Sequence, residues 1–135
     1  MENLLKKDIV GSIGLQKYLC TITWDKGTII MDEPKELEGG DLGPDPYSLL
    51  LASLAGCTLS TLRMYIDRKG WDVPVITVTL NMYQEKIPVL TTIIKRDISF
   101  TSVVPEEQKI KLLTIATKCP VSRILENRIE IENSI

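Results

Sequence analysis

Cysteine side chains are the most reactive groups in this sequence of 135 residues, and there are three of them, at positions 20, 57 and 119. A cysteine thiolate is a nucleophile that attacks disulfides and peroxides. Histidine is absent, which excludes a Ser-His-Asp triad, a Cys-His pair and any His-ligated metal. No CxxC pair occurs either, so a structural zinc site is not expected. What remains is thiol chemistry without histidine, metal or cofactor, or no chemistry at all.

The surroundings of Cys57 are compatible with two roles. Cys57 follows Gly56, which lets another backbone or a small ligand approach closely. On a helix, Cys57 would share one face with small or mildly polar side chains that could line a narrow pocket, namely Ser53, Ser60, Thr61 and Met64. Such a pocket would receive an apolar molecule with one polar, reducible end. The alternative is a packed core thiol, because free cysteine is among the most buried residue types.

Cys119 directly precedes Pro120, which suits the first position of a new helix. A cysteine at a helix start lies near the positive end of the helix dipole, and Arg123 adds a cation, so both favour the thiolate. The alternative is a cysteine that ends one helix and has no further role, and the sequence leaves both open. Cys20, on a predicted strand, is expected in the core.

Cys57 must be positioned by a long helix predicted from Pro46 to Lys69, with Asp45 as N-cap and Gly70 as the stop. Its first half is apolar nearly all round, which is typical of a helix that is buried on most sides. The most apolar run covers about half of the ~20 residues that a membrane helix needs. We therefore expect a core helix and no membrane insertion.

The elements around this helix follow from alternation, turn residues and proline positions. Strands precede the helix, a hairpin follows it, and a second helix has Ile110, Leu113 and Thr117 on its predicted inner face. This order predicts an α+β fold in which antiparallel sheets pack on the long helix. The predicted segments are a strand at 13–24, a short strand at 28–31, a hairpin of 72–85 and 91–103, a helix from 105, a short helix at 121–126 and a last strand at 128–132.

Length and charge narrow the class of partner. The length fits one domain with a thin core, so association with a second copy is expected. With 16 basic and 18 acidic residues, the chain lacks the charge for binding nucleic acid or an anionic membrane. The N-terminus lacks the apolar core of a signal peptide, which predicts a cytoplasmic protein. In that reducing compartment, paired cysteines are more often catalytic or redox-sensing than structural.

Two segments resemble the OsmC/Ohr family. Gly39–Thr58 is similar to its signature loop, helix start and first cysteine, and Cys119–Arg123 is similar to its second-cysteine motif. Asp32–Pro34 and Arg63–Trp71 fit the OsmC-like branch. The resemblance covers nearly the whole chain in the right order. It implies a single OsmC-like domain over residues 1–135 and an intertwined homodimer with two active sites at the subunit interface.

The resemblance also implies a thiol peroxidase. In that interpretation Cys57 attacks an organic hydroperoxide and becomes a sulfenic acid, which Cys119 resolves as a disulfide. A dithiol or lipoyl-type reductant would restore both thiols.

The sequence departs from the family in the groups that activate the first thiol. The peroxidases use an arginine from the N-terminal strands and a glutamate near the start of the long helix, but no arginine precedes Arg63 here, and Tyr47 and Ser48 stand where the acid is expected. Ser122 replaces a frequent histidine. Lys17 and Arg123 are the candidate residues that could support the thiol electrostatically. Lys17 would supply only a point charge, without the planar fork of arginine.

Three hypotheses follow. The first is a hydroperoxide reductase, the second a dimeric protein that binds a hydrophobic small molecule at the same pocket, and the third a redox sensor without fast turnover. The missing arginine and glutamate favour the last two. The retained cysteine pair favours the first and the third.

Overall fold

The computed structural model describes residues 1–135 and is an α+β fold with antiparallel sheets and one long helix, as predicted. It divides into two compact units, residues 1–50 and residues 51–135. The elements are β1 (Val10–Ile13), β2 (Cys20–Trp24), β3 (Gly27–Met31), a 3-10 turn (Lys35–Leu37), α1 (Pro46–Lys69), β4 (Ile76–Glu85), β5 (Thr91–Phe100), α2 (Glu106–Ala116) and α3 (Pro120–Leu125).

The first unit contains a three-stranded antiparallel sheet in the order β1-β2-β3. The prediction of one strand over 13–24 was wrong: the chain reverses between Ile13 and Cys20, which lie opposite each other as partners of β1 and β2. The bend at 14–19 was hidden because apolar residues continue through it. Cys20 is only half-buried, contrary to its expected core position, because the sheet leaves most of its side chains exposed within this unit.

The loop after β3 is organised by the buried carboxylate of Asp32. This carboxylate accepts hydrogen bonds from four backbone N–H groups, those of Tyr18 at 3.3 Å, Glu33 at 2.8 Å, and Gly40 and Leu42 at 3.2 Å each. Burial raises the pKa of Asp32, but the four hydrogen bonds outweigh it, so the pKa is lowered. Asp32 is therefore held as a carboxylate that fixes the loop.

Two glycines of this loop lie against backbone carbonyls. A Cβ on Gly39 would lie 1.9 Å from the carbonyl oxygen of Glu33, and one on Gly43 would lie 2.3 Å from that of Ile30. Both distances are far below any possible contact, so no residue with a side chain fits at either position without moving the backbone.

Helix α1 has the predicted bounds for the predicted reasons. The Asp45 carboxylate accepts hydrogen bonds from the N–H groups of Tyr47 at 3.1 Å and Ser48 at 3.4 Å, as an N-cap does. Gly70 follows the helix with a φ of +67°, a conformation that glycine adopts at little cost. The capping signals in the sequence were therefore sufficient to place both ends.

Only one side of α1 is buried, at Leu54, Thr58, Leu62, Tyr65 and Ile66. The expectation that the helix is covered on most sides is not met within one chain, since only 28% of its most apolar stretch is buried. By length and composition alone α1 is apolar enough to cross a membrane; the core helix of a soluble protein has the same properties. Its uncovered side includes Leu50 and Met64, which are 41% and 68% exposed.

The second unit is built on the predicted hairpin, in which β4 and β5 pair antiparallel with Ile76 opposite Phe100 and Glu85 opposite Thr91. One face of β5 is half-buried and carries Ile94, Arg96, Ile98 and Phe100. The core of this unit joins α1 to the segments that follow it, at Leu62, Tyr65, Ile66, Val73, Val104, Leu112 and Ala116.

Two predictions for the C-terminal part were wrong. The inner face of α2 is formed by Leu112 and Ala116, whereas Ile110 and Leu113 are 59% and 60% exposed. The helix is turned by about one residue from the predicted orientation, because packing places the small Ala116 inward rather than Thr117. Residues 128–132 form no strand, since no neighbouring strand pairs with them.

The orientation of α2 can be tested with two leucines that are adjacent in sequence. We expect Leu112→Ala to lower the free energy of unfolding by about 2–5 kcal/mol, because it leaves a cavity in the core. Leu113→Ala should cost less than about 1 kcal/mol, since its side chain is largely exposed. Urea unfolding of both variants measures the difference. Equal losses would show that Leu113 also belongs to the core.

Candidate functional site

Cys57 and Cys119 meet at the start of α3. Cys57 lies in the middle of α1, and Cys119 is the N-cap residue of α3. The N–H of Val121 donates a hydrogen bond to the Cys57 sulfur, and the next N–H, that of Ser122, donates one to the Cys119 sulfur, each over 3.4 Å. Two consecutive backbone N–H groups therefore bind the two cysteine sulfurs, one group to each sulfur. Both cysteines are free thiols in this arrangement.

The two thiols differ in exposure. Cys119 is completely buried, whereas Cys57 is half-buried. A molecule that enters from solvent therefore reaches the sulfur of Cys57 before that of Cys119.

The surroundings move the two pKa values in opposite directions. The pKa of Cys57 is raised, chiefly by burial and also by the neighbouring Cys119. Hydrogen bonds from the N–H of Val121 and the hydroxyl of Thr61 act in the opposite direction but do not outweigh these effects. Burial also acts to raise the pKa of Cys119, but hydrogen bonds from the Ser122 N–H, the Cys57 thiol and the Thr58 hydroxyl outweigh it, so this pKa is lowered. Cys119 is thus the more readily ionised thiol, and Cys57 the more accessible one.

Arg96 lies beside this pair, and sequence reasoning missed it. Its Nη1 donates hydrogen bonds to Thr58 Oγ1 at 2.9 Å and to Ser122 Oγ at 3.2 Å. Thr58 Oγ1 is in turn 3.9 Å from the Cys119 sulfur. One signal was present in the sequence: in the alternation of β5, Arg96 stands between Ile94 and Ile98, at a position that faces inward. A cation at such a position needs buried polar partners.

The two predicted supports have other surroundings. The Arg123 side chain is exposed, and no hydrogen bond joins it to either sulfur. Lys17 is an exposed residue of the bend between β1 and β2 in the first unit. The supporting roles of Arg123 and Lys17 remain predictions. Arg63, by contrast, is used structurally, because its Nη2 donates to the carbonyl oxygens of Val73 at 2.8 Å and Pro74 at 3.1 Å.

The predicted pocket residues follow the Cys57 side of α1. Ser53, Ser60 and Met64 are exposed there, and Thr61 is half-buried next to Cys57. Ser60 also lines an open cavity of about 390 Å³. A different cavity, of about 500 Å³, lies between α1, β5, α2 and α3, and its walls include Leu54, Arg96, Leu113, Ser122 and Leu125. No three His, Cys, Asp or Glu side chains are grouped so that they could hold a metal ion.

The sequence model of the OsmC family, described as OsmC-like protein, matches residues 39–134, which is well over half of the chain. The chain belongs to this family. The matched OsmC-like region contains Cys57, Cys119 and Arg96 together. The resemblance of the two cysteine motifs is therefore confirmed at the level of the family. No curated protein sequence matches the chain.

Solved structures share the OsmC-like fold. A putative osmotic stress induced and detoxification response protein from Psychrobacter arcticus 273-4 is 18% identical with a TM-score of 0.71, over 90% of this chain and 91% of that one. An OsmC like protein from Mycoplasma pneumoniae is 21% identical with a TM-score of 0.69, over 92% and 89%. An organic hydroperoxide resistance protein from Elizabethkingia anophelis is 23% identical with a TM-score of 0.70, over 96% and 94%. At these identities the likeness establishes the fold alone.

Proposed function

We propose that this OsmC-like protein is a thiol peroxidase that reduces organic hydroperoxides with Cys57 and Cys119. The observation that carries the proposal is the pair of sulfurs held by the consecutive N–H groups of Val121 and Ser122. A pair so placed is suited to form a disulfide after one member is oxidised. The name of the Elizabethkingia relative, an organic hydroperoxide resistance protein, supports the same substrate class.

The accessible Cys57 performs the first step. Its thiolate attacks the terminal oxygen of the hydroperoxide, an S–O bond forms, the O–O bond breaks, and the alkoxide takes a proton and leaves as the alcohol. Because the pKa of Cys57 is raised, the reaction starts from the small fraction of Cys57 that has lost its proton to solvent, while Cys119, whose pKa is lowered, is available as a thiolate for the second step.

Cys119 performs the second step. Its thiolate attacks the Cys57 sulfenic acid, an S–S bond forms, and the hydroxide that leaves takes a proton and becomes water. A dithiol or lipoyl-type reductant then exchanges with the disulfide and restores both thiols while it becomes a disulfide itself. No metal or cofactor takes part in either step.

A second candidate function is a redox sensor, favoured by one observation. The raised pKa of Cys57 reduces its thiolate fraction at neutral pH and slows its attack on a peroxide. A sensor would form the Cys57–Cys119 disulfide without sustained turnover.

The two functions are separated by counting turnovers. Purified protein is mixed with an excess of cumene hydroperoxide and dithiothreitol, and consumption of the hydroperoxide is followed. We expect many equivalents to be consumed per subunit. Consumption that stops at one equivalent supports a sensor whose disulfide is not reduced by the dithiol, and no consumption supports a protein that only binds a small molecule.

The proposed working unit is a cytoplasmic homodimer of one OsmC-like domain over residues 1–135. The uncovered apolar side of α1, with Leu50 and Met64, is the surface that a second copy would cover. In that arrangement the second copy would also close the exposed Ser53, Ser60 and Met64 into a substrate pocket beside Cys57.

We expect the wild-type protein to sediment as a dimer at micromolar concentration and Leu50→Glu to convert it to monomers. In the dimer a charge at position 50 would be buried by the second copy without a partner, which such an interface does not tolerate. Ile87→Glu, at the exposed tip of the β4–β5 hairpin, is the control and should stay dimeric. A stable wild-type monomer would contradict the dimer.

A further inference from the structure

We propose that Arg96 is a positioning residue of the peroxidase reaction, which ties α1 to α3 so that Cys119 can close the disulfide on oxidised Cys57. This inference rests on the proposed function, and it assigns a role to a residue on β5 that touches neither sulfur. Its basis is the set of hydrogen bonds that one guanidinium makes to the two cysteine-bearing helices.

One nitrogen of Arg96 reaches both helices. The two hydrogens of Nη1 are directed to Thr58 Oγ1 at 2.9 Å and to Ser122 Oγ at 3.2 Å. Thr58 follows Cys57 on α1, and Ser122 lies three residues after Cys119. Both hydroxyl residues are buried, at 0% and 4% exposure, so water does not compete for these bonds. The distance between the two cysteine-bearing segments is therefore set through Arg96.

Both partners of Arg96 also contact Cys119. The N–H of Ser122 donates to its sulfur at 3.4 Å, and the hydroxyl of Thr58 lies 3.9 Å from it. Because Thr58 accepts from Arg96, its single hydrogen is directed either to the Leu54 carbonyl, at 2.7 Å, or to the Cys119 sulfur. A thiolate competes for this hydrogen better than a thiol, and donation from a cation polarises the hydroxyl further. Arg96 thus favours the ionised form of Cys119.

Few other charged or ionisable groups face Cys119. On α1 the group is Cys57, while the buried side of α2 presents only Leu112 and Ala116. On α3, Arg123 is exposed, and Glu126 lines the cavity that Arg96 also lines. Arg96 is the cation that reaches the pair through hydrogen bonds, where the N-terminal arginine expected from the family is missing.

The position of Cys119 decides between two fates of the Cys57 sulfenic acid. Attack by the Cys119 thiolate forms the S–S bond and releases water. A second hydroperoxide molecule instead transfers an oxygen to the sulfur, which gives the sulfinic acid and a second alcohol. Loss of the Arg96 bonds should slow the first reaction and leave the second unchanged.

The test compares Arg96→Met with Arg96→Lys and with Lys95→Met. Lys95 is the adjacent, exposed cation of the same strand, so its replacement controls for loss of charge. After treatment with cumene hydroperoxide, free thiols are blocked and the ratio of Cys57–Cys119 disulfide to Cys57 sulfinic acid is measured by mass spectrometry. We expect Arg96→Met to lower this ratio about tenfold, as for the loss of a charge-assisted hydrogen bond. Arg96→Lys should keep part of the wild-type ratio, and Lys95→Met should keep all of it.

Two further measurements do not require peroxidase activity. Diamide closes the disulfide directly, and this should also be slower in Arg96→Met. In the Cys20→Ser, Cys57→Ser background, the pH titration of the Cys119 thiolate, followed by its ultraviolet absorbance, should give a higher apparent pKa in Arg96→Met than in Lys95→Met. A purely structural role of Arg96 would not move this profile in a folded protein, and Arg96→Lys covers the case in which Arg96→Met fails to fold.

Each outcome has a definite meaning. Equal disulfide closure and equal thiolate titration profiles in Arg96→Met and Lys95→Met would overturn the role of Arg96. If the wild-type protein consumes no hydroperoxide while the differences in diamide oxidation and in thiolate titration are found, the proposed function fails and the positioning role of Arg96 stands.

Discussion

Replacing Cys57 by serine should abolish the thiol-dependent reduction of organic hydroperoxides. Serine keeps the shape of the side chain and the hydrogen bond from Val121, but its hydroxyl cannot be oxidised to the equivalent of a sulfenic acid. No other thiol takes its place, because Cys119 is completely buried and the Cys20 thiol donates to the carbonyl oxygen of Tyr18 at 3.7 Å without a neighbouring cysteine. We expect consumption of cumene hydroperoxide to fall by at least about a hundredfold, to the rate of the reductant alone.

Cys20→Ser is the matched control and should retain the wild-type rate. The pH dependence gives a second check on Cys57. Because the pKa of Cys57 is raised, its thiolate fraction and the initial rate should still increase as the pH rises through the ordinary range of a free thiol, about 8.5. A Cys57→Ser protein that consumed hydroperoxide at the wild-type rate would remove Cys57 from the reaction.

Replacing Cys119 by serine should turn a reversible oxidation of Cys57 into an irreversible one. In the wild-type protein, one equivalent of hydroperoxide should produce a disulfide between Cys57 and Cys119 and leave Cys20 reduced. Without Cys119 the sulfenic acid has no adjacent thiolate, so further hydroperoxide takes it to the sulfinic acid. We expect the Cys119→Ser protein to lose its activity within the first few turnovers. The total amount of hydroperoxide consumed per subunit should be about a hundredfold below that of the wild-type protein.

Peptide mapping after blocking of free thiols measures this outcome. In the wild-type protein, an over-oxidised Cys57 beside a free Cys119 would show that Cys119 does not resolve Cys57. Cysteines that stay unmodified at both positions would leave the site as a binding pocket, the second of the hypotheses drawn from the sequence.

The parts of the fold that were predicted correctly depend on local signals. Asp45 and Pro46 mark the start of α1, and Gly70 marks its end, each by a signal next to the helix terminus. The alternation that predicts β4 and β5 can likewise be recognised within each strand by itself. The two cysteine motifs are also local, and together they identify the family. Each of these features needs no knowledge of how distant segments pack.

The parts that were missed depend on packing between distant segments. Arg96 is separated by 38 residues from Thr58 and by 26 from Ser122, so no spacing in the sequence joins them. The orientation of α2 was missed because Ile110 and Leu113 are as apolar as Leu112, and it is the packing of Leu112 and Ala116 in the core that turns their side inward. The strand predicted at 128–132 had suitable residues but no partner strand in the chain.

The glycines of the signature loop have a meaning separate from that of the cysteines. Gly39 and Gly43 are required because the carbonyl groups of Glu33 and Ile30 occupy the space of a side chain, and this requirement concerns the path of the backbone. A chain could therefore keep both glycines, and so the loop, after losing Cys57 or Cys119. For sequences of this type, the glycine motif is evidence of common descent, whereas inheritance of the reaction has to be judged from the two cysteines and the groups that surround them.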